Sequence, residues 1–168
     1  NEIWELFFDE KSKLLQKNQI KKNDLFVSPI DLNDNNIPNG NSIYLTLSNK
    51  LYAITDNKTW YEKIEILNKS FHQVLNSNFS QMFSFIKSLD IFKETISFTF
   101  YGDPKKTEEI RHKLLKDFSD RAIFVYKNKG NEEPFVVICK NQTCSNKISG
   151  INEINAYLRN HKITHDSK

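Results

Sequence analysis

The spacing of apolar residues changes once along this chain, near Lys93, and that change limits the fold more than any other feature. Before it, Ile43, Leu47, Leu51 and Ile54 recur at four, four and three residues, the period of one helix face. Trp60, Ile64, Leu67, Phe71 and Leu75 repeat the period, as do Phe79, Met82, Phe83, Ile86 and Leu89. Asp56-Asn57 and Asn76-Ser77-Asn78 separate the runs. Breaks this short join antiparallel neighbours, so the expectation is an array of αα-hairpins. After the change, Thr95 to Phe100 alternates and is rich in β-branched and aromatic residues, which predicts a strand. Asp103 then caps a helix whose first residue is Pro104 and whose face is Ile110, Leu114 and Phe118. Arg121 to Tyr126 and Pro134 to Cys139 predict two more strands, with a turn at Lys127 to Glu133 that contains Gly130. Ile151, Ile154, Tyr157 and Leu158 predict a last helix. Strand-helix-strand argues for a parallel pair with a right-handed crossover. The short turn into the third strand argues for an antiparallel hairpin.

At the N-terminal side, Ile3, Trp4, Phe7 and Phe8 stand at helical spacing, closed by Asp9-Glu10. Lys11 to Asp34 is polar and predicts loop, with a short extended piece at Leu25 to Val27. The expected fold is therefore α+β: antiparallel helical hairpins over residues 1–93, a small three-stranded mixed α/β unit over 94–160, and a tail at 161–168. Of the 168 residues 38% are hydrophobic and 13 are Phe, which is enough for a core and excludes a disordered chain. The net charge of +3 is spread among residues of both signs, and no basic stripe interleaves with aromatics. That pattern argues against a nucleic-acid partner. No apolar run reaches the ~18–20 residues of a membrane span, and no signal peptide is visible, so the expectation is a cytoplasmic protein away from membranes. The chain opens on Asn1 inside a helical pattern, so its true N-terminus is expected to lie further upstream.

Two stretches carry the candidate chemistry. In Asp31 to Ser42, Pro38 and Gly40 stand among five Asn and two Asp, although the whole chain holds only four Gly and four Pro. One reading is a helix start: Pro38 fixes φ, Gly40 permits φ > 0, and Asn41 or Ser42 caps a helix beginning near Ile43. The other is a pocket, because a helix start offers free N–H groups to hydroxyl-rich or anionic ligands. His72 falls on a helix flank and reads as a surface or packing residue. In the second stretch, Cys139 and Cys144 lie five residues apart across a strand end and a turn at Asn141 to Thr143. They are expected to lie close in space, as a disulfide or as two thiols according to the redox compartment. With His161 and His165 they spell C-x4-C-x16-H-x3-H, whose gap differs from the ~12 residues of a zinc finger. No metal and no cofactor are expected. Gly102-Asp103-Pro104 follows a strand as a phosphate loop would, but it lacks further glycines and reads as a helix cap.

Three blocks together resemble the C-terminal part of the spermatogenesis-associated, thioredoxin-domain-containing protein family. The first is Phe8-Asp9-Glu10 followed by Ser28-Pro29-Ile30-Asp31 and by Asp34 with Ile37-Pro38-Asn39-Gly40-Asn41-Ser42, similar to an aromatic-Asp element and a D-x-x-x-P-S-G-N-S block. The second is Ser88-Leu89-Asp90-Ile91-Phe92 and then Gly102-Asp103-Pro104, similar to A-L-D-F and V-G-D-P. The third is Val137 to Cys144, similar to V-C-x-N-x-T-C. This sequence departs at Asn39, where the family has Ser, and at Ser12 to Leu15, where a Gly-Gly-aromatic segment is usual.

The resemblance implies an N-terminal thioredoxin-like domain, an (α/α)6 toroid like those of glycosidases and sugar epimerases, and this ending. The chain would then be a C-terminal module that completes the toroid, with the remainder of the protein as its partner and no catalysis alone. Its pocket would take a carbohydrate-like small molecule through Asp34, Asn39, Gly40, Asn41 and Ser42, with Asp9 and Asp34 as the carboxylates available for acid or base work. The epimerase relatives rely on His, and none lies near this block. Two alternatives stay open: disulfide exchange between Cys139/Cys144 and the thioredoxin domain, or a glycosidase- or epimerase-like enzyme in the full-length protein. A module of this kind is expected to leave part of its helical apolar surface uncovered, so that Ile43, Leu47, Trp60 and Ile64 are not all buried.

Overall fold

The computed structural model describes residues 2–20, 29–118, 122–127, 133–140, 143–161 and 163, with backbone alone at 76–78. Leu25 to Val27, Ser28, Arg121, Gly130, Asn141, Gln142 and His165 thus lie outside the described residues. The chain mixes helix and sheet in an α+β arrangement and divides into two compact units, Asn1–Phe92 and Lys93–Lys168. The boundary coincides with the change in apolar spacing.

The first unit opens with helix α1 (Glu2–Phe7), which runs directly into strand β1 (Phe8–Asp9). β1 pairs antiparallel with β2 (Leu14–Leu15), in register Phe8 to Leu15 and Asp9 to Leu14. Nothing in the apolar pattern marks this ribbon, whose two-residue strands are too short to show alternation. Three helices follow: α2 (Gly40–Thr55), α3 (Lys58–Asn78) and, after a 3₁₀ turn at Phe79–Gln81, α4 (Phe83–Glu94). The break expected at Asn76 to Asn78 is absent, and α3 continues through it. Asp56 ends α2 in the left-handed conformation at φ 52°, donating its N–H to the Tyr52 carbonyl at 2.8 Å. Asn57 then caps α3 by accepting the Thr59 N–H at 2.9 Å.

The core of this unit joins Phe8, Leu14 and Leu15 of the ribbon to Tyr44 and Leu45 of α2, Ile64, Leu67 and Phe71 of α3, and Phe85 of α4. Phe71 and Phe85 stack with ring centroids 4.1 Å apart. The apolar period of α3 therefore marks its inward face. That of α2 marks its outward face: Ile43 is 54% exposed, Leu47 42% and Ile54 41%. The α2 residues turned inward are Asn41, Ser42, Tyr44, Leu45, Ser48 and Asn49. Trp60 is half-buried and Ile64 fully buried. Of the face expected at Phe79 to Leu89, Met82 is buried but Phe79 and Phe83 are exposed, and Phe85, outside that pattern, is buried instead.

The second unit is built from β3 (Ile96–Tyr101), α5 (Pro104–Asp117), β4 (Ala122–Lys127), β5 (Phe135–Lys140), β6 (Thr143–Cys144) and α6 (Ile151–Asn160). Asp103 caps α5 by accepting the Lys105 N–H at 2.9 Å, with Pro104 at the first helical position. The sheet has four strands in the order β4-β3-β5-β6, where three were expected. β3 and β4 are parallel, while β5 runs antiparallel to β3 and β6 antiparallel to β5. The expected hairpin between the second and third strands does not form, because β5 pairs with β3 instead. That placement sets Val136 beside Phe100 and Ile138 beside Phe98. It gives β3, the most buried strand, a hydrogen-bonded neighbour on each side. The shared face of Phe98, Phe100, Val136 and Ile138 packs with Leu114 from α5, Phe118 just past its end, and Ile154 and Leu158 from α6.

Candidate functional site

Helix α2 starts three residues earlier than expected, and Asn39 rather than Asn41 or Ser42 is its cap. Asn39 has extended backbone at φ −71° and ψ 151°, and its Oδ1 accepts the Ser42 N–H at 2.9 Å. Its Nδ2 donates to the Leu32 carbonyl and to Asp34 Oδ1, both at 3.0 Å. Gly40 does not have positive φ; among the described glycines Gly102 and Gly150 do. Asn41 is buried and turned onto β2, where its amide meets both backbone groups of Leu15. Ser42 is buried as well.

Asp34 is fully engaged by backbone. Its Oδ1 accepts the Asn39 N–H at 3.0 Å, its Oδ2 accepts the Ser84 N–H in the first turn of α4 at 2.6 Å, and its own N–H donates to the Gln81 carbonyl. One carboxylate thus ties the start of α2 to the start of α4, where a helix N-terminus favours negative charge. Burial pushes the Asp34 carboxyl up, but the donors from Ser84 and Asn39 outweigh it and hold it below its ordinary value. Asp9 is engaged in the same manner within the β1–β2 turn. Its Oδ2 accepts from the Ser12 N–H at 2.8 Å and the Ser12 hydroxyl at 2.6 Å, which hold its carboxyl low. Low, satisfied carboxylates at turns are structural acceptors rather than poised acids.

Beside the start of α2 lies a groove of about 450 Å³. Its walls are largely apolar, from Ile3, Phe7, Leu15, Ile37, Ile43 and Leu47, and Lys17, Asp31 and Asn35 are among its polar lining. Lys17 and Asp31 pair with each other at 2.8 Å. Of the five predicted ligand residues, Asn39, Gly40 and Asn41 line the groove, whereas Asp34 and Ser42 do not, and neither does Asp9. Exposed apolar surface at Ile43 and Leu47 was expected, but not its place beside Asn39, Gly40 and Asn41: α2 carries apolar residues on two sides, Tyr44 and Leu45 inward and Ile43 and Leu47 outward. That doubled pattern is the signal that could have found it.

In the second unit Cys139 and Cys144 are cross-strand partners of β5 and β6, joined as a disulfide with Cα atoms 4.0 Å apart. The expected proximity is present. Cys144 is exposed and Cys139 half-buried. With both sulfurs bonded to each other, neither is a thiolate ligand of the zinc type. His161 stacks on Tyr157, with centroids 4.0 Å apart. His72 is exposed, and its Nδ1 lies 2.7 Å from the Asn68 carbonyl oxygen. A further cluster escaped the sequence reading: Lys63 is buried, with its Nζ 5.1 Å from the ring centres of both Trp4 and Trp60.

No family model matches this sequence, and no curated protein matches it. The family resemblance rests on its three sequence blocks alone. Among the described residues, no helix is long and apolar enough to cross a membrane.

Proposed function

We propose that the helical unit is a docking module: its outward α2 face and the adjoining groove are covered, in the intact protein, by further helices. The (α/α)6 toroid implied by the family resemblance is the assembly it would complete, with the remainder of the protein as partner. The observation that carries this reading is the inverted placement of α2. Its polar Asn41, Ser42, Ser48 and Asn49 are buried, while its apolar Ile43, Leu47 and Ile54 stay outside, and Ile37, which shares the groove with Ile43 and Leu47, is 74% exposed. A helix on a free surface has the opposite placement. Fully covering an aliphatic side chain contributes about 1.5–3 kcal/mol, and roughly half of that is still to be gained at each of these residues.

A hydroxyl-rich ligand fits the groove less well. Asn39 and Asn41, which would bind its hydroxyls, already spend their amides on Leu32, Asp34, Asp31 and Leu15. The reading accordingly assigns no reaction to the chain.

The test is Leu47→Asp, made in the intact protein and in the 168-residue chain by itself. Thermal unfolding of the intact protein should drop by about 5 °C or more, as expected for a buried apolar residue turned to a charge. The isolated chain should lose clearly less, because Leu47 is only about half covered there. Lys50→Glu, an exposed change on the same helix, is the control. An intact protein whose midpoint is unmoved by Leu47→Asp would show the α2 face to be free surface and end the proposal.

A further inference from the structure

The outer edge of the sheet in the second unit is closed by residues 143–148, and the two ends of that closing segment are held differently. At one end Ile148 is buried and exchanges both backbone hydrogen bonds with Val136, at 2.9 and 3.0 Å. At the other end Thr143 and Cys144 are both exposed and contribute nothing to the core. Between them Ser145 is half-buried. Its N–H donates to the Ile138 carbonyl at 2.8 Å, and its hydroxyl oxygen accepts the Ile138 N–H at 3.0 Å. A two-residue exposed strand has little hold of its own. Beyond its short pairing with β5 and the Ser145 bonds, what fastens it is the covalent bond between Cys139 and Cys144.

We propose that this disulfide is a thiol–disulfide exchange site, and that its reduction releases Thr143 to Ser145 from the edge of β5 while the core stays intact. The co-reactant is a dithiol. Its thiolate attacks Sγ of Cys144, the exposed partner, forming a mixed disulfide there and breaking the Cys139–Cys144 bond. Cys139 leaves as a thiolate and takes up a proton. The second thiol of the reductant loses its proton and attacks its own sulfur in the mixed disulfide, releasing Cys144 as a thiolate, which is protonated in turn. Two electrons pass from the dithiol to the cysteine pair, and the reductant leaves as a disulfide. The consequence stays local because Val136, Ile138 and Ile148 are held by the core formed with α5 and α6 rather than by the bond. With Ser145 gone, the N–H and C=O of Ile138 face outward as a free strand edge, a surface on which another extended strand can pair. The proposal stands independently of the docking reading of the helical unit.

Amide hydrogen exchange, measured with and without dithiothreitol, tests it. On reduction the amides of Ile138 and Ser145 should exchange about thirtyfold faster, the loop-closure value for a ring this small. The amides of Phe98 and Ile154 should keep their rates. The double variant Cys139→Ser, Cys144→Ser should exchange like the reduced protein with no reductant present. Three results would overturn the proposal: Ile138 and Ser145 unchanged after confirmed reduction, Phe98 accelerated as much as Ser145, or a bond that millimolar dithiothreitol leaves intact by mass in native buffer.

Discussion

Asn41 stands in for a β-strand against Leu15. Its Oδ1 accepts the Leu15 N–H at 2.7 Å and its Nδ2 donates to the Leu15 carbonyl at 2.8 Å, so one side chain satisfies both backbone groups of a buried residue 26 positions earlier. The same Nδ2 lies 3.3 Å from the Asp31 carbonyl. Asn41→Ala would leave a buried N–H and a buried C=O without partners, each costing about 1–3 kcal/mol. The expected loss of stability is roughly 2–4 kcal/mol by urea unfolding. Asn41→Asp keeps the acceptor but loses the donor and buries a charge, so it should cost at least as much. A loss below 1 kcal/mol for both variants would mean that the ribbon is held by its apolar contacts alone.

Asp34 gives a prediction in pH. Its carboxyl is held below its ordinary value of 3.8 in the folded state, because the Ser84 and Asn39 donors outweigh the burial that would raise it. A depressed carboxylate contributes stability that is present above the unfolded value and is lost as pH falls through the folded one. Asp34→Asn should therefore be less stable than the parent at pH 6, and the gap should close as pH drops below 3.8. Urea midpoints of both proteins across that range check it. A gap that holds constant into acid would assign the effect of the substitution to shape rather than to charge.

Gly40 and Gly150 form a matched pair. A Cβ added at either would meet nothing within 4 Å, so space does not distinguish them. Backbone does: Gly150 has φ 93° and ψ 155°, a region open to glycine and little else, whereas Gly40 is an ordinary first residue of α2. Gly40→Ala should stabilise the chain by about 0.4–1 kcal/mol through the unfolded state, and Gly150→Ala should destabilise it by about 1–3 kcal/mol. Thermal midpoints moving in the same direction would contradict this account.

What the sequence revealed follows from how far apart the deciding residues lie. The period of Ile64, Leu67 and Phe71 named the inward face of α3 correctly, because that helix is apolar on one side only. The period of Ile43, Leu47 and Ile54 named a face of α2 but not its direction, since Tyr44 and Leu45 make a second apolar side and the choice depends on α3, its main neighbour, and the ribbon. The closeness of Cys139 and Cys144 was legible because five residues of ribbon bring them together. The role of Asn41 was not, because its partner is 26 residues away and no local pattern marks it. Strand order escaped for the same reason: turn length argued for β4 against β5, while the facing pairs Phe98–Ile138 and Phe100–Val136 decide for β3.

Lys63 sits buried with its ammonium 5.1 Å from the centres of the Trp4 and Trp60 rings. Burial pushes its pKa below the ordinary 10.5, opposed by the nearby charge of Glu5. The ring faces attract the cation, at about 0.5–2 kcal/mol per contact, and this offsets part of the desolvation cost. In the folded state the proton leaves at lower pH than in the unfolded chain, so the unfolded state binds more protons in the window between the two values. Stability therefore rises with pH there. Lys63→Met keeps the volume and removes the titration. At pH 7 the two proteins should differ by about 1 kcal/mol or less, since the lost ring contacts and the lost desolvation cost oppose each other. As pH rises toward 10.5 the parent should gain on the variant. Tryptophan fluorescence of the folded parent should titrate below 10.5 and that of Lys63→Met should not. A parent-to-variant difference that stays flat from pH 7 to pH 10.5 would show that Lys63 keeps its proton as readily in the fold as out of it.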